Sequence, residues 1–228
     1  MRRWAPLAFL VLQGCSDLTE QAGGVVGLEI RTPELRTIEV GETLQLTAVA
    51  LDKDGNQVDA AITWQAPDPT LTVDAATGVI TGVSQGTGRV QAFAGSLPSE
   101  LVTFNVIPRA DTLVITGDSV QTIPAGVSNS NPLVVELRSF SPEGPLPSRP
   151  VAYTVTSPSD VGPHTVELPG GVLTTTVQTG TDGAVSSVTL NRVNGTTQPD
   201  TAIVEVRAFR THGEPVPGSG QRFIILFQ

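Results

Sequence analysis

The sequence predicts an all-β protein made of two tandem β-sandwich domains behind a secretion signal. Apolar residues recur with a period of two in short runs, which is typical of half-buried strands. Turn-forming residues separate these runs, and the 23 glycines and 18 prolines among 228 residues suit a turn-rich β-protein. No stretch of the chain carries a convincing helical period of 3.6 residues.

Composition and charge exclude several classes of function. The formal net charge is −9, from 13 Lys and Arg against 22 Asp and Glu, and Lys53 is the only lysine. A chain without a basic stripe is not expected to bind nucleic acid. Its single cysteine excludes an internal disulfide and any multi-cysteine zinc site. We therefore expect no cofactor and no metal.

Residues 1–14 are predicted to form a signal peptide. Arg2 and Arg3 precede an apolar stretch, residues 4–12, that is far shorter than the roughly 20 residues of a membrane helix. The segment that follows resembles the lipobox of bacterial lipoproteins, and it consists of Leu12, Gln13, Gly14 and Cys15.

The lipobox resemblance implies an anchor. In that family the signal is cut before the cysteine, whose sulfur then carries lipid, so Cys15 is the expected lipidation site and residues 15–26 the tether. Gln13 is a less usual residue for its position, and an ordinary signal peptide with a chance cysteine is the alternative. Ser16 leaves delivery to the outer membrane open, so we expect the outer membrane or cell surface rather than the inner membrane.

The body of the chain divides into two candidate sandwiches. The first is expected over residues 27–107, a linker over 108–112, and the second over 113–228. Each is near the roughly 100 residues of an immunoglobulin-type sandwich. Residues at positions 44, 46, 48 and 50 are expected to share one face of a strand. The predicted core of the first sandwich includes Leu44, Leu46, Trp64, Val90 and Phe104.

The first sandwich resembles the group 2 bacterial immunoglobulin-like domain. The residues that carry the resemblance are VGETLQLT at 40–47, ITW at 62–64, VD at 73–74, GVITGV at 78–83 and GTGRVQA at 86–92. The second sandwich is similar to the group 1, invasin-and-intimin type, through residues 132–135, 150–155 and 181–190. These families supply stalks, adhesin repeats and accessory modules of bacterial surface proteins, so the resemblance implies no catalytic residues.

One motif suggests catalysis. Residues 82–86 fit G-x-S-x-G, the nucleophile elbow of hydrolases, with Ser84 as the nucleophile. That elbow needs a helix after the serine, whereas a β-patterned run follows here. A triad also needs a base, and the only histidines are His164 and His212. A hydrolase using Ser84 is therefore a remote alternative.

Two further features have competing interpretations. Asp52, Asp54 and Asn56 begin like a calcium loop but lack its glycine and its bidentate glutamate, so a hairpin turn is favoured over a weak metal site. Trp64 alternates with Ile62, so a core position is favoured over an exposed platform for sugar stacking.

The C-terminal run at 223–227, FIILF, is apolar on both faces. We favour the last strand of the second sandwich, with one face in the core and the other covered by a neighbouring segment. The alternative is an exposed edge that docks a partner.

The sequence thus predicts a lipid-anchored, non-catalytic protein of the cell envelope or cell surface. Its partners are the membrane, through the anchor, and an unidentified protein or glycan that contacts loops such as 52–59 or 157–171. It would act as a spacer or adhesion module. The alternative is a structural subunit of an envelope assembly that pairs through the edge of strand 223–227.

Overall fold

The computed structural model describes residues 24–159, 164–193 and 199–228. The predicted signal peptide, the lipobox with Cys15 and residues 15–23 of the tether lie outside the described residues. Within the described ranges, no helix is long and apolar enough to cross a membrane.

The described residues form 22 strands, which make an N-terminal lobe (residues 24–107) and a C-terminal lobe (residues 108–228). The N-terminal lobe contains β1 (Gly27–Arg31), β2 (Thr37–Glu39), β3 (Thr43–Gln45), β4 (Thr47–Leu51), β5 (Gln57–Val58), β6 (Ile62–Gln65), β7 (Leu71–Val73), β8 (Val79–Gly82), β9 (Gly86–Ala94), β10 (Leu97–Pro98) and β11 (Val102–Ile107). The C-terminal lobe contains β12 (Thr112–Ile115), β13 (Val120–Ile123), β14 (Val135–Phe140), β15 (Glu143–Pro145), β16 (Pro150–Ser157), β17 (Val166–Glu167), β18 (Thr174–Gln178), β19 (Ala184–Val185), β20 (Asn191–Arg192), β21 (Thr201–Ala208) and β22 (Gln221–Phe227).

Strand pairing stays within each lobe among the described strands. In the N-terminal lobe the strand orders are β1-β4-β5, β3-β8-β7 and β10-β9-β11-β2, with β6 also on β9. In the C-terminal lobe they are β12-β14-β15 with β19 on β14, β13-β22-β21-β16-β18, and β17-β20. Each lobe has its own cluster of buried apolar side chains between its sheets. The prediction of an all-β sandwich fold is confirmed.

The expected strand through positions 44–50 is interrupted at Leu46. β3 pairs with β8, whereas β4 pairs with β1 in another sheet, so the chain changes sheets between them. The Leu46 N–H bonds to the Gly78 carbonyl at 3.1 Å, and its side chain enters the core. Leu44 is only half-buried, because β3 is an edge strand, and its expected core position is corrected to the rim.

The C-terminal strand differs from both of its interpretations. β22 pairs with β21 on one side and with β13 on the other, so it has no free edge for a partner. Phe223 and Ile225 face the core, but Ile224 and Leu226 on the outer face are each 38% exposed. The expected last strand is therefore present, but its outer face is not covered by a neighbouring described segment. The edge at 223–227 that was the alternative docking site is occupied by the protein's own β13.

In the N-terminal lobe, the turn at residues 74–78 packs against the buried side chain of Trp64. The Asp74 carboxylate accepts hydrogen bonds from the N–H groups of Ala76 and Thr77. These bonds lower the pKa of Asp74 below its usual value, and the bond from Thr77 has the largest effect. Gly78 closes the turn with φ +75°, and its Cα faces the indole ring of Trp64. The turn thus supplies a flat backbone surface against which the buried tryptophan packs.

Replacing Gly78 by alanine should destabilise this lobe strongly. A Cβ at this position would lie 2.6 Å from Trp64 Cε2, closer than atoms can approach. Overpacking of this kind costs about 1–3 kcal/mol, beyond the roughly 1–2 kcal/mol of placing a side chain at positive φ. Urea unfolding monitored by tryptophan fluorescence measures the total.

Gly55→Ala is the matched control for Gly78→Ala. Gly55 has φ +81°, but no atom lies within 4 Å of the position that a Cβ would take there, so this variant carries only the backbone cost. Equal losses of unfolding free energy in the two variants would contradict the packing role of Gly78.

Candidate functional site

The two lobes meet at the buried carboxylate of Glu39. β2 runs parallel to β11, with Glu39 opposite Ile107, so Glu39 lies beside the residue that leads into the linker. Its side chain is fully buried. A buried carboxylate is costly unless cations and hydrogen-bond donors surround it, so its partners decide whether the lobes can stay in contact.

The C-terminal lobe supplies those partners. Arg149 Nη1 donates to Glu39 Oε1 at 3.1 Å, and the Thr211 hydroxyl donates to the same oxygen at 3.2 Å. The Ala110 N–H donates to Glu39 Oε2 at 3.0 Å, and Arg210 Nε lies 4.0 Å from that oxygen. Two guanidinium groups, a hydroxyl and a backbone amide therefore compensate one buried charge. We call these five residues the junction.

The backbone of the C-terminal lobe fixes the Arg149 side chain in place. Ser148 takes the left-handed conformation, with φ +56°, and its N–H bonds to the Thr179 carbonyl. The Arg149 N–H donates to Thr179 Oγ1 at 2.9 Å, and its Nη2 donates to the Pro108 carbonyl at 2.6 Å. Arg149 thus holds both the carboxylate and the linker.

A hairpin tip makes a second contact beside the junction. Residues 209–215 form a tight turn in which the Arg210 N–H bonds to the Glu214 carbonyl. His212 Nδ1 lies 2.9 Å from Glu42 Oε1, and the other oxygen of Glu42 accepts the Glu39 N–H at 2.8 Å. The expected hairpin tip at His212 is therefore present, and it contacts Glu42 of the N-terminal lobe.

A groove of about 630 Å³ lies beside the junction. Several prolines give it a stiff, partly apolar wall, and its lining includes Pro108, Pro142, Pro145, Pro147, Ile107 and Arg149. Residues of both lobes line it, so its shape depends on the junction.

The hydrolase motif has the wrong structural context. Ser84 is exposed in the turn after β8, and β9 begins at Gly86, so a strand takes the place of the required helix. In the described residues Ser84 makes no hydrogen bond to either histidine. His212 contacts Glu42, and His164 lies in the C-terminal lobe.

The Asp52 segment is a hairpin turn between β4 and β5. Asp52 Oδ1 accepts the N–H groups of Asp54 and Asn56 at 2.9 and 2.8 Å. The Asn56 bond is the main cause of the lowered pKa of Asp52. Across the described ranges, no three His, Cys, Asp or Glu side chains come together as a metal-binding group.

The other sequence-predicted residues are placed as follows. Leu46, Val90 and Phe104 are buried in the N-terminal core, and Trp64 is 5% exposed, which leaves its ring no face for stacking a sugar. Loop 52–59 is described in full. Loop 157–171 is described except for residues 160–163.

The junction itself was missed at the sequence level. The one available signal was a lone charge between two apolar residues, in Ile38-Glu39-Val40. Nothing in the sequence marks Arg149 or Arg210 as its partners.

Comparison with known proteins confirms the immunoglobulin-like prediction for the N-terminal lobe. Residues 30–104 match the family model of the bacterial Ig-like domain (group 2). No curated protein sequence matches the chain significantly.

Several solved structures are similar to the chain at low identity. Domains 4 and 5 of the S-layer protein SbsC are 18% identical, with a TM-score of 0.32 over 89% of this chain and 98% of that one. The Yersinia pseudotuberculosis adhesin InvE is 18% identical, with a TM-score of 0.37 over 85% of this chain and 56% of that one. The fibronectin(III)-like modules of Clostridium thermocellum CbhA are 15% identical, with a TM-score of 0.44 over 88% and 94%. The chain therefore spans little more than half of InvE.

Glu39→Gln should open the junction. The amide keeps the shape but removes the charge that compensates Arg149 and Arg210, and breaking a buried pair in this way costs about 3–5 kcal/mol. The Arg109–Ala110 peptide bond then becomes accessible, because Ala110 is held by Glu39. Limited trypsinolysis should cleave after Arg109 at least about 100-fold faster, since each 1.4 kcal/mol is tenfold in the open population.

Glu136→Gln is the matched control for Glu39→Gln. Glu136 pairs with Arg138 along β14, where the Arg138 side chain is 55% exposed, and partly exposed pairs of this kind contribute little. Among the described residues, Glu136 makes no hydrogen bond to Glu39 or to Ala110. Cleavage after Arg109 at the same rate in both variants would contradict the role of Glu39.

Asp52→Ala should lower the melting temperature more at pH 7 than at pH 3. Because the folded-state pKa of Asp52 lies below its ordinary value of 3.8, its contribution is present above that value and is lost as pH falls through the folded-state pKa. Thermal unfolding at both pH values tests this, with Asp54→Ala, which removes only the exposed contact with Lys53, as the control. Calcium or EDTA should shift none of the three melting temperatures, and a calcium-dependent rise would restore the metal site.

Proposed function

We propose that this chain is a lipid-anchored, non-catalytic module of the bacterial cell envelope that acts as a spacer or binding module at the cell surface. Cys15 would carry the lipid and residues 16–26 would form the tether. Residues 27–107 and 113–228 would be two immunoglobulin-like domains, joined by the linker 108–112. A flexible tether of a dozen residues reaches about 20 Å.

The observation that carries the proposal is the junction. A spacer must keep a fixed distance between its anchor and whatever it presents, so its domains must not swing freely. Interdomain contacts within a chain are ordinarily loose enough to allow relative motion. Here Glu39 is fully buried, and it bonds to Arg149, Thr211 and the linker amide of Ala110.

Binding would use the surface that the junction shapes. The groove at the junction combines a stiff proline-rich wall with polar residues such as Gln85 and Asn105. Concave surfaces of this size with a few polar groups are the usual place for a ligand. We propose that a protein or glycan partner contacts this groove or the loops at the ends of the sandwiches.

Protease protection on cells tests the anchor and the orientation together. The native protein and Cys15→Ala are expressed in a bacterial host, and protease is added to intact and to lysed cells. We expect the native protein to fractionate with membranes and to be cleaved in intact cells. Cys15→Ala should leave the membrane fraction, because one cysteine carries all of the lipid.

Labelling with a radioactive fatty acid completes the test. Label on the native protein but not on Cys15→Ala supports the anchor. An unlabelled native protein would contradict the anchor and favour an ordinary signal peptide. A labelled protein that stays protected until lysis would contradict surface display.

A further inference from the structure

The edge strand β18 has a free outer edge among the described residues. β18 lies at one end of the sheet β13-β22-β21-β16-β18 and pairs only with β16 among the described strands. Two hydrogen bonds flank this ladder: the Val155 N–H donates to the Leu173 carbonyl, and the Thr179 N–H donates to the Arg149 carbonyl. The backbone groups of the odd-numbered residues from 173 to 179 therefore point toward β16. Because antiparallel residues alternate in direction, the backbone groups of Thr174, Thr176 and Gln178 point away from the sheet.

Two other edges of the C-terminal lobe, those of β12 and β13, carry groups that hinder pairing. The Gln221 side chain donates to the Leu113 carbonyl and accepts the Ile115 N–H, so it occupies the edge of β12. β13, at the opposite end of the same sheet, is followed directly by Pro124, and the Arg192 guanidinium bonds to the carbonyls of Ile123 and Pro124.

The composition of β18 also lacks the usual protection of an edge. Natural edge strands carry charges, prolines or bulges that prevent pairing with another chain. In the N-terminal lobe, β1 carries Glu29 and Arg31. β18 reads TTTVQ and has no charge and no proline, and its register with β16 is regular.

We propose that β18 pairs with β18 of a second copy of this chain, antiparallel about a two-fold axis at Thr176. The two five-stranded sheets would then become one continuous sheet. This pairing goes beyond the spacer function and does not depend on the lipid anchor.

The register follows from the outward-facing groups. Thr176 would face Thr176 of the second copy and exchange both backbone hydrogen bonds with it, and Thr174 would face Gln178 of the second copy. Opposed threonines on one face of an antiparallel pair are favourable. On the other face, the half-buried Thr175 and Val177 would meet each other and lose their remaining exposure.

The distribution of charge makes the edge of β18 a place where a second copy can approach. The chain has a formal net charge of −9, so two copies repel one another over most of their surface. Residues 168–181 contain no charged side chain, and two copies can approach here without opposing like charges. A β-branched, uncharged strand is also complementary to itself.

Cysteine crosslinking tests the register. Cys15→Ser in the full chain leaves no native thiol, since Cys15 is the only cysteine. In a hydrogen-bonded antiparallel pair the facing Cα atoms are about 5.5 Å apart, which suits a disulfide. With diamide as the oxidant, Thr176→Cys should form a covalent dimer, visible on a non-reducing gel.

Thr174→Cys is the matched control on the same strand. In the proposed register the two copies of residue 174 lie about 14 Å apart, because four residues at about 3.4 Å separate their levels along the strands, and no disulfide can form. The double variant Thr174→Cys with Gln178→Cys should crosslink again. Equal yields from Thr174→Cys and Thr176→Cys would mean random collision and would overturn the proposal.

Charge variants provide a second measurement without covalent chemistry. Thr176→Lys places two ammonium groups opposite each other, so sedimentation velocity should show dimerisation weakened about tenfold or more. Mixing Thr176→Lys with Thr176→Glu should restore the dimer. A native chain that stays monomeric at millimolar concentration, or a dimer that Thr176→Lys leaves unchanged, would overturn the proposal.

Discussion

One buried carboxylate constrains the arrangement of the whole chain. Glu39 is fully buried, and a charge in that position is tolerated only with close cationic partners. The loop before β16 and the linker each bring one group to it, and the hairpin after β21 brings two, from Arg210 and Thr211. Polar groups with directional bonds therefore determine how the two lobes meet at this point, whereas the apolar cores determine the internal packing of each lobe.

Much of the fold was predictable because local chemistry determines it. Alternation of apolar residues identifies most long strands, such as β9, β16 and β21, whose buried faces are regular. The turn from Asp74 to Gly78 is also predictable, because an aspartate that accepts following N–H groups and a glycine at positive φ are local requirements. The core position of Trp64 is predictable in the same way, because Trp64 alternates with Ile62 along one strand.

Long-range pairing could not be predicted in the same way. β13 has Val120 outside and Gln121 inside, the reverse of the usual pattern, and the inward Gln121 Nε2 donates to the Asp118 carbonyl. Without β13, the edge of β22 looks free, which is why the sequence leaves a docking edge at 223–227 open as the alternative to the last strand. Glu39 and Arg149 are likewise distant in sequence and carry no shared motif, so only the folded chain shows that they meet.

The spacing of the junction along the chain has a consequence for biogenesis. The groups that bond to the Glu39 carboxylate lie 71, 110 and 172 residues further on. Because a chain is synthesised from its N-terminus, the strands of the N-terminal lobe leave the ribosome before those residues do. During that interval the Glu39 carboxylate must remain hydrated, so this end of the N-terminal lobe stays open to water. The set of bonds to Glu39 is complete only when the hairpin at 209–215 is present, so a chain truncated before Thr211 would lack the hydroxyl that donates to Glu39 Oε1.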